Sequence, residues 1–225
     1  MVRVSSLAGD LFLHSAFPPV AADSVFFGPD TYRFARFLEG ACDGRRVDLA
    51  IEVGVGSGAG AAVVAKHFRP ARLVATDINP KALRLAAVNL AAAGVTAELK
   101  LADGLSGATG PVDLIVANPP FIAGDGDRVY RDGGDMRGAR LSLEWTLAGA
   151  TLLAPRGRIL LYTGSAIVKG RDALHEALRA RLDPARFDLS YAEIDPDIFG
   201  EQLEDAAYRD VERIAAVGAV VTRHP

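Results

Sequence analysis

The tetrapeptide Asn118-Pro119-Pro120-Phe121 directly follows an apolar run from Val112 to Ala117. A residue that precedes proline is pushed out of the helical region, so we expect Asn118 and Pro119 to be extended, with the Asn118 carboxamide oxygen and the Pro119 carbonyl oxygen facing the same way. Two adjacent acceptors match one NH2 group, and accepting both of its hydrogens favours a pyramidal nitrogen with a localised lone pair. Phe121 could stack on the planar group. The pattern indicates a nitrogen held for alkylation.

The same tetrapeptide also fits a loop that merely ends a strand, because Asn and Pro are common turn residues. A second segment favours the chemical interpretation. Glu52-Val53-Gly54-Val55-Gly56-Ser57-Gly58 follows the apolar stretch from Val47 to Ile51 and precedes a helical pattern over residues 59–68, which predicts a strand, a glycine turn and a helix. Glycines permit positive backbone dihedral angles and the close approach of a ligand, while the start of a helix offers free N–H groups.

Two acids, Asp77 and Asp103, follow the next predicted strands, over residues 73–76 and 97–102. An acid after the second strand can bind ribose hydroxyls. An acid after the third strand could accept a hydrogen bond from the amino group of an adenine. Glu52 could lie near a ligand's ammonium group. However, Gly54-x-Gly56-x-x-Ala59 also satisfies the dinucleotide pattern. The turn and Asp77 by themselves therefore suit a nicotinamide cofactor equally well.

In this order and spacing the motifs resemble the class I S-adenosylmethionine-dependent methyltransferases. Within them the chain is similar to the Asn-Pro-Pro-aromatic branch, which includes the small methyltransferase domain and the glutamine amide methyltransferases, and the resemblance covers nearly the whole chain. It implies that S-adenosylmethionine is the cofactor. The implied cofactor-binding residues are Glu52, Gly54, Gly56 and Gly58 at the methionine part, Asp77 with the adjacent Ile78 at the ribose, Asp103 at the adenine, and Asn118. The implied catalytic residues, which hold the target nitrogen, are Asn118, Pro119, Pro120 and Phe121.

Length and composition are typical of one enzyme domain. The chain has 225 residues, of which 50% are hydrophobic and 24% charged, so it can bury a large core. We expect residues 1–46 to form a segment that covers substrate and cofactor, and residues 47–225 to form the methyltransferase domain. The amino terminus lacks a basic region followed by a long apolar stretch, and no run of about 18 apolar residues occurs. These features predict a cytoplasmic protein with no membrane partner.

Charge and cysteine content bear on partners and metals. The formal net charge is -3, whereas proteins that grip structured nucleic acid usually carry a basic stripe. The longest basic cluster, Arg45-Arg46, is flanked by Asp43 and Asp48. A nucleic-acid partner is therefore disfavoured, although net charge can hide a local patch. The single cysteine, Cys42, cannot form an intramolecular disulfide, and with scattered histidines it predicts no metal site.

Strand and helix patterns alternate along the chain, which predicts an α/β fold with a mostly parallel sheet covered on both faces. Further strands are expected over residues 112–117, 158–163, 187–194 and 214–222, and helices over residues 79–94 and 171–182. Another helix carries Leu141, Trp145, Ala148 and Leu152, with Trp145 in the core. The last two strands should pair antiparallel, because no helix long enough for a parallel crossover separates them. The resemblance implies a doubly wound Rossmann-like sheet of seven strands in the order 3-2-1-4-5-7-6, with the last strand antiparallel.

Three further segments border the predicted site. In related enzymes a segment before the first strand closes over cofactor and substrate, which makes Phe27, Thr31 and Tyr32 candidate substrate contacts; alternatively these residues only pack a helix on the sheet edge. Residues 122–138 are either a mobile substrate lid or a solvated loop. The acidic stretch from Glu193 to Asp205 either recognises a basic or amine-bearing substrate or is solvated surface.

The sequence therefore predicts an S-adenosylmethionine-dependent N-methyltransferase that acts on a planar amide or amine nitrogen. The chain looks most like the enzymes that methylate a glutamine amide in a protein, such as a translation release factor. However, the 46 residues before the first strand are too few for the helical amino-terminal domain of the bacterial glutamine enzymes. A small metabolite with an amine or amide group and an adenine amine in RNA are alternative acceptors. A non-catalytic module that binds the cofactor is a further alternative, against which the intact Asn-Pro-Pro-Phe motif argues.

Overall fold

The computed structural model describes residues 1–17, 21–123 and 133–225. The chain opens with an antiparallel hairpin of β1 (Val2–Leu7) and β2 (Asp10–Ser15), which forms a sheet of its own. The two turn residues, Ala8 and Gly9, have φ values of 50° and 87°, as hairpin turns require. Sequence patterns do not predict this hairpin, because alanine is an unusual residue at a position with positive φ.

The main sheet contains eight strands within the described residues. They are β3 (Leu49–Val53), β4 (Arg72–Asp77), β5 (Glu98–Leu101), β6 (Val112–Ala117), β7 (Leu153–Val168), β8 (Arg171–Asp172), β9 (Phe187–Asp195) and β10 (Arg213–Arg223). The spatial order is β5-β4-β3-β6-β7-β10-β9, with the short β8 paired to the end of β7. Strands β3 to β7 pair in parallel, and β10 is antiparallel to both of its neighbours.

The predicted α/β Rossmann-like fold is confirmed. Without β8, the strands of the main sheet follow the expected order, and the last strand in the chain is the antiparallel one. Strand β7 extends beyond its predicted ends at residues 158 and 163. Leu153 already pairs with Val112, and the register then shifts before Arg158 pairs with Leu114. Arg156 has a positive φ of 63° within this irregularity. Pro155-Arg156-Gly157 is a sequence typical of a loop, which is why the sequence pattern does not predict that the strand begins before it.

Five helices of the described chain cover the two faces of the sheet. They are α1 (Pro29–Ala41), α2 (Ala59–His67), α3 (Pro80–Ala92), α4 (Arg140–Leu152) and α5 (Ala173–Arg181). Phe34 of α1 and Leu90 of α3 share a buried cluster with Leu160 of β7. Leu143 of α4 shares the other large cluster with Leu161, the next residue of β7. Neighbouring side chains of a strand point to opposite faces, so α1, α2 and α3 cover one face and α4 and α5 the other.

Helix α3 begins as predicted. Pro80 occupies its first turn, and the Asn79 side-chain oxygen accepts a hydrogen bond from the Lys81 N–H at 2.9 Å, which satisfies an N–H group that the helix itself leaves free.

No helix within residues 1–17, 21–123 and 133–225 is long and apolar enough to cross a membrane.

Asn89 of α3 joins the amino-terminal hairpin to the glycine turn. Its side-chain oxygen accepts the Leu13 N–H at 2.8 Å, and its NH2 group donates to the carbonyl oxygens of Leu13 (2.9 Å) and Ser57 (2.8 Å). The side chain is buried, where leaving such groups unpaired would cost about 1–3 kcal/mol. One buried amide thus holds the hairpin, the helix and the turn in a fixed relation.

Helix α2 approaches β3 closely enough to require a glycine. A Cβ atom on Gly60 would lie 2.0 Å from Glu52 Oε1 and 2.7 Å from Phe34 Cε1, whereas a Cβ atom on Gly40 of α1 would have no neighbour within 4 Å. We expect Gly60→Ala to lower the free energy of unfolding by about 1–3 kcal/mol because of overpacking, and the matched Gly40→Ala to raise it by up to about 1 kcal/mol because alanine favours helix. Urea denaturation measures both. Equal stabilisation by the two alanines would show that Gly60 is not crowded.

Candidate active site

The carboxyl ends of β3, β4 and β6 lie side by side because these strands are parallel and adjacent. The segments that follow them line a cavity of about 680 Å³. Its walls include Glu52 and Gly54 from the end of β3, Asp77 from the end of β4, Asp103 after β5 and Asn118 after β6. Ligands of open α/β sheets bind at such an edge. The structure therefore brings together in one cavity motifs that are far apart in the sequence.

The glycine turn needs its glycines for different reasons. Gly54, Gly56 and Gly58 have φ values of 74°, 53° and 85°, which lie in the left-handed region that favours glycine. Gly54 and Gly56 line the cavity. Gly58 instead contacts α3, where an added Cβ atom would lie 3.3 Å from the Cα atom of Ala86. Of the three predicted cofactor-binding glycines, two therefore border the cavity and the third sets the packing of the turn on a helix.

Hydrogen bonds close the turn onto β4. The N–H groups of Gly54 and Val55 both donate to the Thr76 carbonyl oxygen, at 2.9 and 2.8 Å. The Gly56 N–H donates to Asp77 Oδ2 at 2.9 Å. The turn thus has one fixed position relative to the end of the second parallel strand, and Asp77 is part of that connection.

Glu52 is a buried carboxylate at the cavity wall, with a relative exposure of 2%. Its Oε2 atom has no hydrogen-bond partner among the described residues. Burial raises the pKa of Glu52 well above its usual range, a hydrogen bond from the Ala61 backbone N–H acts in the opposite direction, and the charge of Asp77 raises the pKa further. Buried charges require a partner. This unpaired oxygen is suited to a cationic group of a ligand.

Asp77 and Asp103 offer two further carboxylates. Asp77 accepts the Asn79 N–H at Oδ1 (2.8 Å) and the Gly56 N–H at Oδ2 (2.9 Å). Burial raises the pKa of Asp77, and these backbone hydrogen bonds lower it. Each carboxylate oxygen has a second lone pair, so Asp77 can also accept hydroxyl groups of a ligand. Ile78, which is 53% exposed, and the exposed Asp103 line the same cavity.

All four residues of the Asn-Pro-Pro-Phe motif line the cavity. The Phe121 ring is buried against β7, since a Cβ atom on Gly164 would lie only 2.4 Å from its Cδ2 atom. Phe199 contacts the same ring in an edge-on arrangement, with 5.7 Å between the centroids. A glycine on the neighbouring strand and an aromatic residue after β9 therefore fix the aromatic end of the motif.

Of the three predicted substrate contacts, Thr31 lines the main cavity. It lies in the first turn of α1, where its N–H donates to the Gly28 carbonyl oxygen (2.9 Å) and its Oγ1 accepts the Gly28 N–H (3.2 Å). Phe27 and Tyr32 lie at the amino-terminal hairpin instead. Phe27 stacks on His14 at 5.1 Å and contacts Tyr32 edge-on at 5.5 Å. Phe27 and Tyr32 thus have packing contacts, as the alternative interpretation expects. Their partner is the hairpin rather than the edge of the main sheet.

Asp30, Trp145 and Phe199 are among the residues of the cavity wall that sequence reasoning missed. Trp145 has the helical spacing of a core residue, but it is half-buried and borders the turns after β3 and β5: a Cβ atom on Gly104 would lie 2.9 Å from its Nε1. Asp30 follows Pro29 at a helix start, where an acid is also explained by the helix dipole. Phe199 has a φ of 54°, and no sequence signal indicates its position.

Two loops are predicted to border the site, namely residues 122–138 and the acidic stretch from Glu193 to Asp205. Glu201 and Gln202, from the acidic stretch that continues past β9, line the cavity, so this stretch lies at the same end of the sheet as the motif. Of the predicted lid at residues 122–138, residues 124–132 lie outside the described residues. At its described ends, Ile122 lines the cavity and its carbonyl oxygen accepts the Gly133 N–H at 2.9 Å.

The cavity wall is strongly acidic. Five carboxylates line it, from Asp30, Glu52, Asp77, Asp103 and Glu201, and its described lining residues include no Lys, Arg or His. A concave site lined by one sign of charge concentrates the opposite sign of ligand charge. The arrangement favours a cationic ligand.

Comparison with known proteins shows which proteins this chain is similar to. A family model described as the methyltransferase small domain matches residues 34–132. A release factor glutamine methyltransferase of Deinococcus radiodurans is 33% identical over 166 residues, which cover 70% of this chain and 58% of that protein. The chain is thus similar to the small-domain branch of the class I methyltransferases. The resemblance carried by the glycine turn and the Asn-Pro-Pro-Phe motif is confirmed.

A second relative and a solved structure have names that describe other substrates or ligands. A ribosomal RNA small subunit methyltransferase C of Idiomarina loihiensis is 39% identical over 98 residues, or 43% of this chain and 27% of that protein. The crystal structure of M. jannaschii TYW2 in complex with AdoMet has a TM-score of 0.65 and 14% identity, covers 99% of this chain and 86% of that one, and shares the fold. The chain spans between 28% and 58% of the length of three release factor glutamine methyltransferases that it matches.

Glu52 should destabilise the ligand-free protein at neutral pH. A carboxyl group whose pKa rises on folding binds its proton more tightly in the folded protein, so its stabilising contribution is present at low pH and is lost as the pH rises through the raised pKa. We expect Glu52→Gln to raise the melting temperature by about 2–4 °C near about pH 8 and to change it little near about pH 4.

Scanning calorimetry across this pH range measures the difference. The control is Glu98→Gln on β5, where the hydrogen bond from Arg72 lowers the pKa of the carboxyl group, so that this variant should not raise the melting temperature. A Glu52→Gln effect that is the same at every pH would contradict the assigned cause.

Proposed function

We propose that this chain is an S-adenosylmethionine-dependent methyltransferase that transfers a methyl group to a planar amide or amine nitrogen. The observation that carries the proposal is that the Asn118–Phe121 motif and the Glu52–Gly58 turn line one cavity. Direct transfer requires the donor and the acceptor nitrogen to be held side by side in a fixed orientation. A candidate donor site and a candidate cradle for an NH2 group within one cavity meet this requirement.

The residues at the cavity wall fit S-adenosylmethionine. The unpartnered Glu52 oxygen would pair with its ammonium group, Asp77 would accept its ribose hydroxyls beside Ile78, and Asp103 would accept its adenine amino group. When bound, the cofactor supplies an electrophilic methyl group on a positively charged sulfur. The acidic wall suits this net positive charge, and the volume of about 680 Å³ lies within the range of about 300–1,000 Å³ that ligand cavities occupy.

The acceptor nitrogen would be held by oxygens of the motif. The Asn118 side-chain oxygen and the Pro119 carbonyl oxygen would each accept one hydrogen of an NH2 group, which leaves the nitrogen lone pair directed away from them. Phe121, fixed by Gly164, would lie along the plane of the acceptor group. Thr31 is the further substrate contact that we propose, because it lines the same cavity.

We infer that residues 1–46 cover the cofactor and substrate, and that residues 47–225 form the methyltransferase domain. Val25, Phe26 and Thr31 from the amino-terminal segment line the cavity, which supports this division. Hydrogen bonds from Asn89 to Leu13 and from Tyr162 to Asp30 attach the segment to the rest of the structure.

The charge of the cavity supports a protein glutamine side chain as the acceptor. A phosphate-bearing substrate would approach Asp30 and Glu201 with no cationic side chain among the described lining residues, whereas nucleic-acid sites neutralise phosphates with Lys and Arg. The Deinococcus radiodurans relative is named for a release factor glutamine, and the Idiomarina loihiensis relative for ribosomal RNA. A small metabolite with an amine or amide group is the second candidate, because the acidic wall suits it equally.

The role of Asn118 can be tested by removing its side-chain acceptor. We expect Asn118→Ala to keep the dissociation constant for S-adenosylmethionine within about twofold and to lower turnover by about 100-fold, as the loss of an oriented hydrogen-bonding group does. Calorimetric titration measures binding, and transfer of a labelled methyl group to a purified release factor measures turnover. Undiminished turnover would remove Asn118 from its assigned role.

The same label identifies the acceptor class. Wild-type protein is incubated with labelled cofactor and a lysate, which is then separated into protein, RNA and small-molecule fractions. Label in the protein fraction supports the proposal, while binding of the cofactor without any labelled product would support a non-catalytic module instead.

The proposed role of Asp77 in binding the cofactor ribose can be tested by comparing its substitution with that of a similar carboxylate, Asp113. We expect Asp77→Ala to weaken S-adenosylmethionine binding by about tenfold or more, because charged acceptors make strong hydrogen bonds. Asp113 is the control: it also accepts two backbone N–H groups, from Asp48 and Leu49 at 2.9 Å each, and it does not line the cavity. Asp113→Ala should leave the dissociation constant unchanged. The same dissociation constant in both variants would remove Asp77 from the ribose site.

A further inference from the structure

Asp30 is a buried carboxylate that the proposed cofactor contacts leave unused. It lies in the first turn of α1, is 2% exposed, and lines the cavity together with Asn118. Glu52, Asp77 and Asp103 account for the cationic and hydrogen-bonding groups of the cofactor. Burying one more carboxylate at this wall carries a desolvation cost, which a ligand could offset.

The contacts of Asp30 leave one of its oxygens available. The Tyr162 hydroxyl donates to Asp30 Oδ1 at 2.7 Å, and Arg33 Nη1 lies 3.5 Å from the same atom. The other Arg33 nitrogen donates to Asp195 Oδ2 at 2.7 Å. The hydrogen bonds that the described residues give to this carboxylate thus end on Oδ1, which orients the group. The lone pairs of Oδ2 remain for a ligand.

Strand register places Asp30 on the acceptor side of the cavity. Ala117 of β6 pairs with Leu161 of β7, so the next residues, Asn118 and Tyr162, lie at the same level on neighbouring chain segments. Tyr162 belongs to the buried cluster on the α1 face of the sheet, and its hydroxyl bonds to Asp30. Asp30 therefore lies on the α1 face of the sheet, over the strand next to the one that Asn118 follows.

We propose that Asp30 is a further catalytic residue, whose Oδ2 takes one of the two protons of the acceptor nitrogen after methyl transfer. The inference rests on the proposed methyltransferase function. In the transfer, the nitrogen lone pair forms the bond to the methyl carbon, and the electron pair of the broken carbon–sulfur bond stays on sulfur. The nitrogen then carries a positive charge and one surplus proton.

The surrounding groups make Asp30 the suitable proton acceptor. The Asn118 and Pro119 oxygens belong to neutral amides, which are much weaker bases than a carboxylate. The proton passes to Asp30, which becomes a neutral carboxylic acid and returns the proton to water once the product has left the cavity. General acid–base contributions of this kind are typically about 100- to 10,000-fold in rate.

The charges that face Asp30 determine its pH dependence. The neutral hydroxyl of Tyr162 on β7 faces it, as do the charged groups of Arg33 on the same helix and Asp195 at the end of β9. Glu52 shares the cavity wall. Burial raises the pKa of Asp30, the Tyr162 hydrogen bond and the Arg33 charge lower it, and the Asp195 charge raises it. Because the carboxylate form accepts the proton, turnover should rise with pH as Asp30 loses its own proton, above the ordinary aspartate range.

The test compares Asp30→Asn with a closely matched control, Asp172→Asn. Asp172 stands at the start of α5 and accepts a tyrosine hydroxyl, that of Tyr191, at 2.7 Å, but it does not line the cavity. With a purified release factor as acceptor, we expect Asp30→Asn to lower kcat by about 100-fold and to abolish the acid limb of the pH profile, with the KM for S-adenosylmethionine nearly unchanged. Asp172→Asn should keep both kcat and the acid limb. An unchanged kcat and acid limb in Asp30→Asn would overturn the inference.

A binding measurement tests the same placement without an acceptor. Sinefungin carries an amine in place of the transferable methyl group, whereas S-adenosylhomocysteine has neither. We expect Asp30→Asn to weaken sinefungin binding by about fivefold or more, because it removes a charge next to that amine, and to leave S-adenosylhomocysteine binding within about twofold. Equal losses for the two ligands would make Asp30 a cofactor contact, and no loss for either would place it away from the reacting atoms; both outcomes overturn the inference. If wild-type protein binds neither ligand, the proposed function itself fails.

Discussion

The buried carboxylate of Glu52, whose Oε2 atom has no partner among the described residues, is the constraint on which the arrangement of the site depends. The other oxygen, Oε1, and the ring of Phe34 occupy the space next to α2 where a side chain at position 60 would lie. Residue 60 therefore has to be a glycine. Burial of a charge without a partner opposes folding, and the rest of the sheet must therefore hold Glu52 in place. A ligand that brings a positive charge relieves this cost. The energy that the ligand-free protein stores at Glu52 thus becomes available for binding.

The two halves of the cavity are held by different means. On the proposed cofactor side, backbone hydrogen bonds to Thr76 close the glycine turn onto β4, and Asn89 ties the turn to α3 and the hairpin. On the proposed acceptor side, contact with side chains fixes the motif, because Phe121 packs against Gly164 and Phe199. Backbone hydrogen bonds suit a cofactor that never changes. Side-chain packing allows related proteins to vary the acceptor by exchanging the residues of one wall.

The acidic wall connects cofactor and substrate preference. S-adenosylmethionine and a protonated amine both bring positive charge, and an amide brings N–H donors, so the same carboxylates suit the proposed donor and the proposed acceptor. Asp30 shows how the amino-terminal segment contributes to this wall: a helix that precedes the first strand of the main sheet supplies a carboxylate, and Tyr162 of β7 orients it. Relatives named for glutamine and for ribosomal RNA are both similar to this chain. Charge at the remaining wall is a physical basis on which such proteins can differ.

The sequence by itself determined the strand–turn–helix units, the glycine turn, the acids after the strands and the Asn-Pro-Pro-Phe motif, because each of these depends on local dihedral preferences and apolar periodicity. Tertiary structure alone decided which other residues reach the cavity. Trp145 has the same helical spacing whether it faces the core or the ligand, and Thr31 borders the cavity while the adjacent Tyr32 packs on the hairpin. The Asp30–Tyr162 hydrogen bond joins residues 132 positions apart. Such contacts depend on how elements pack against each other, and local sequence carries no record of that.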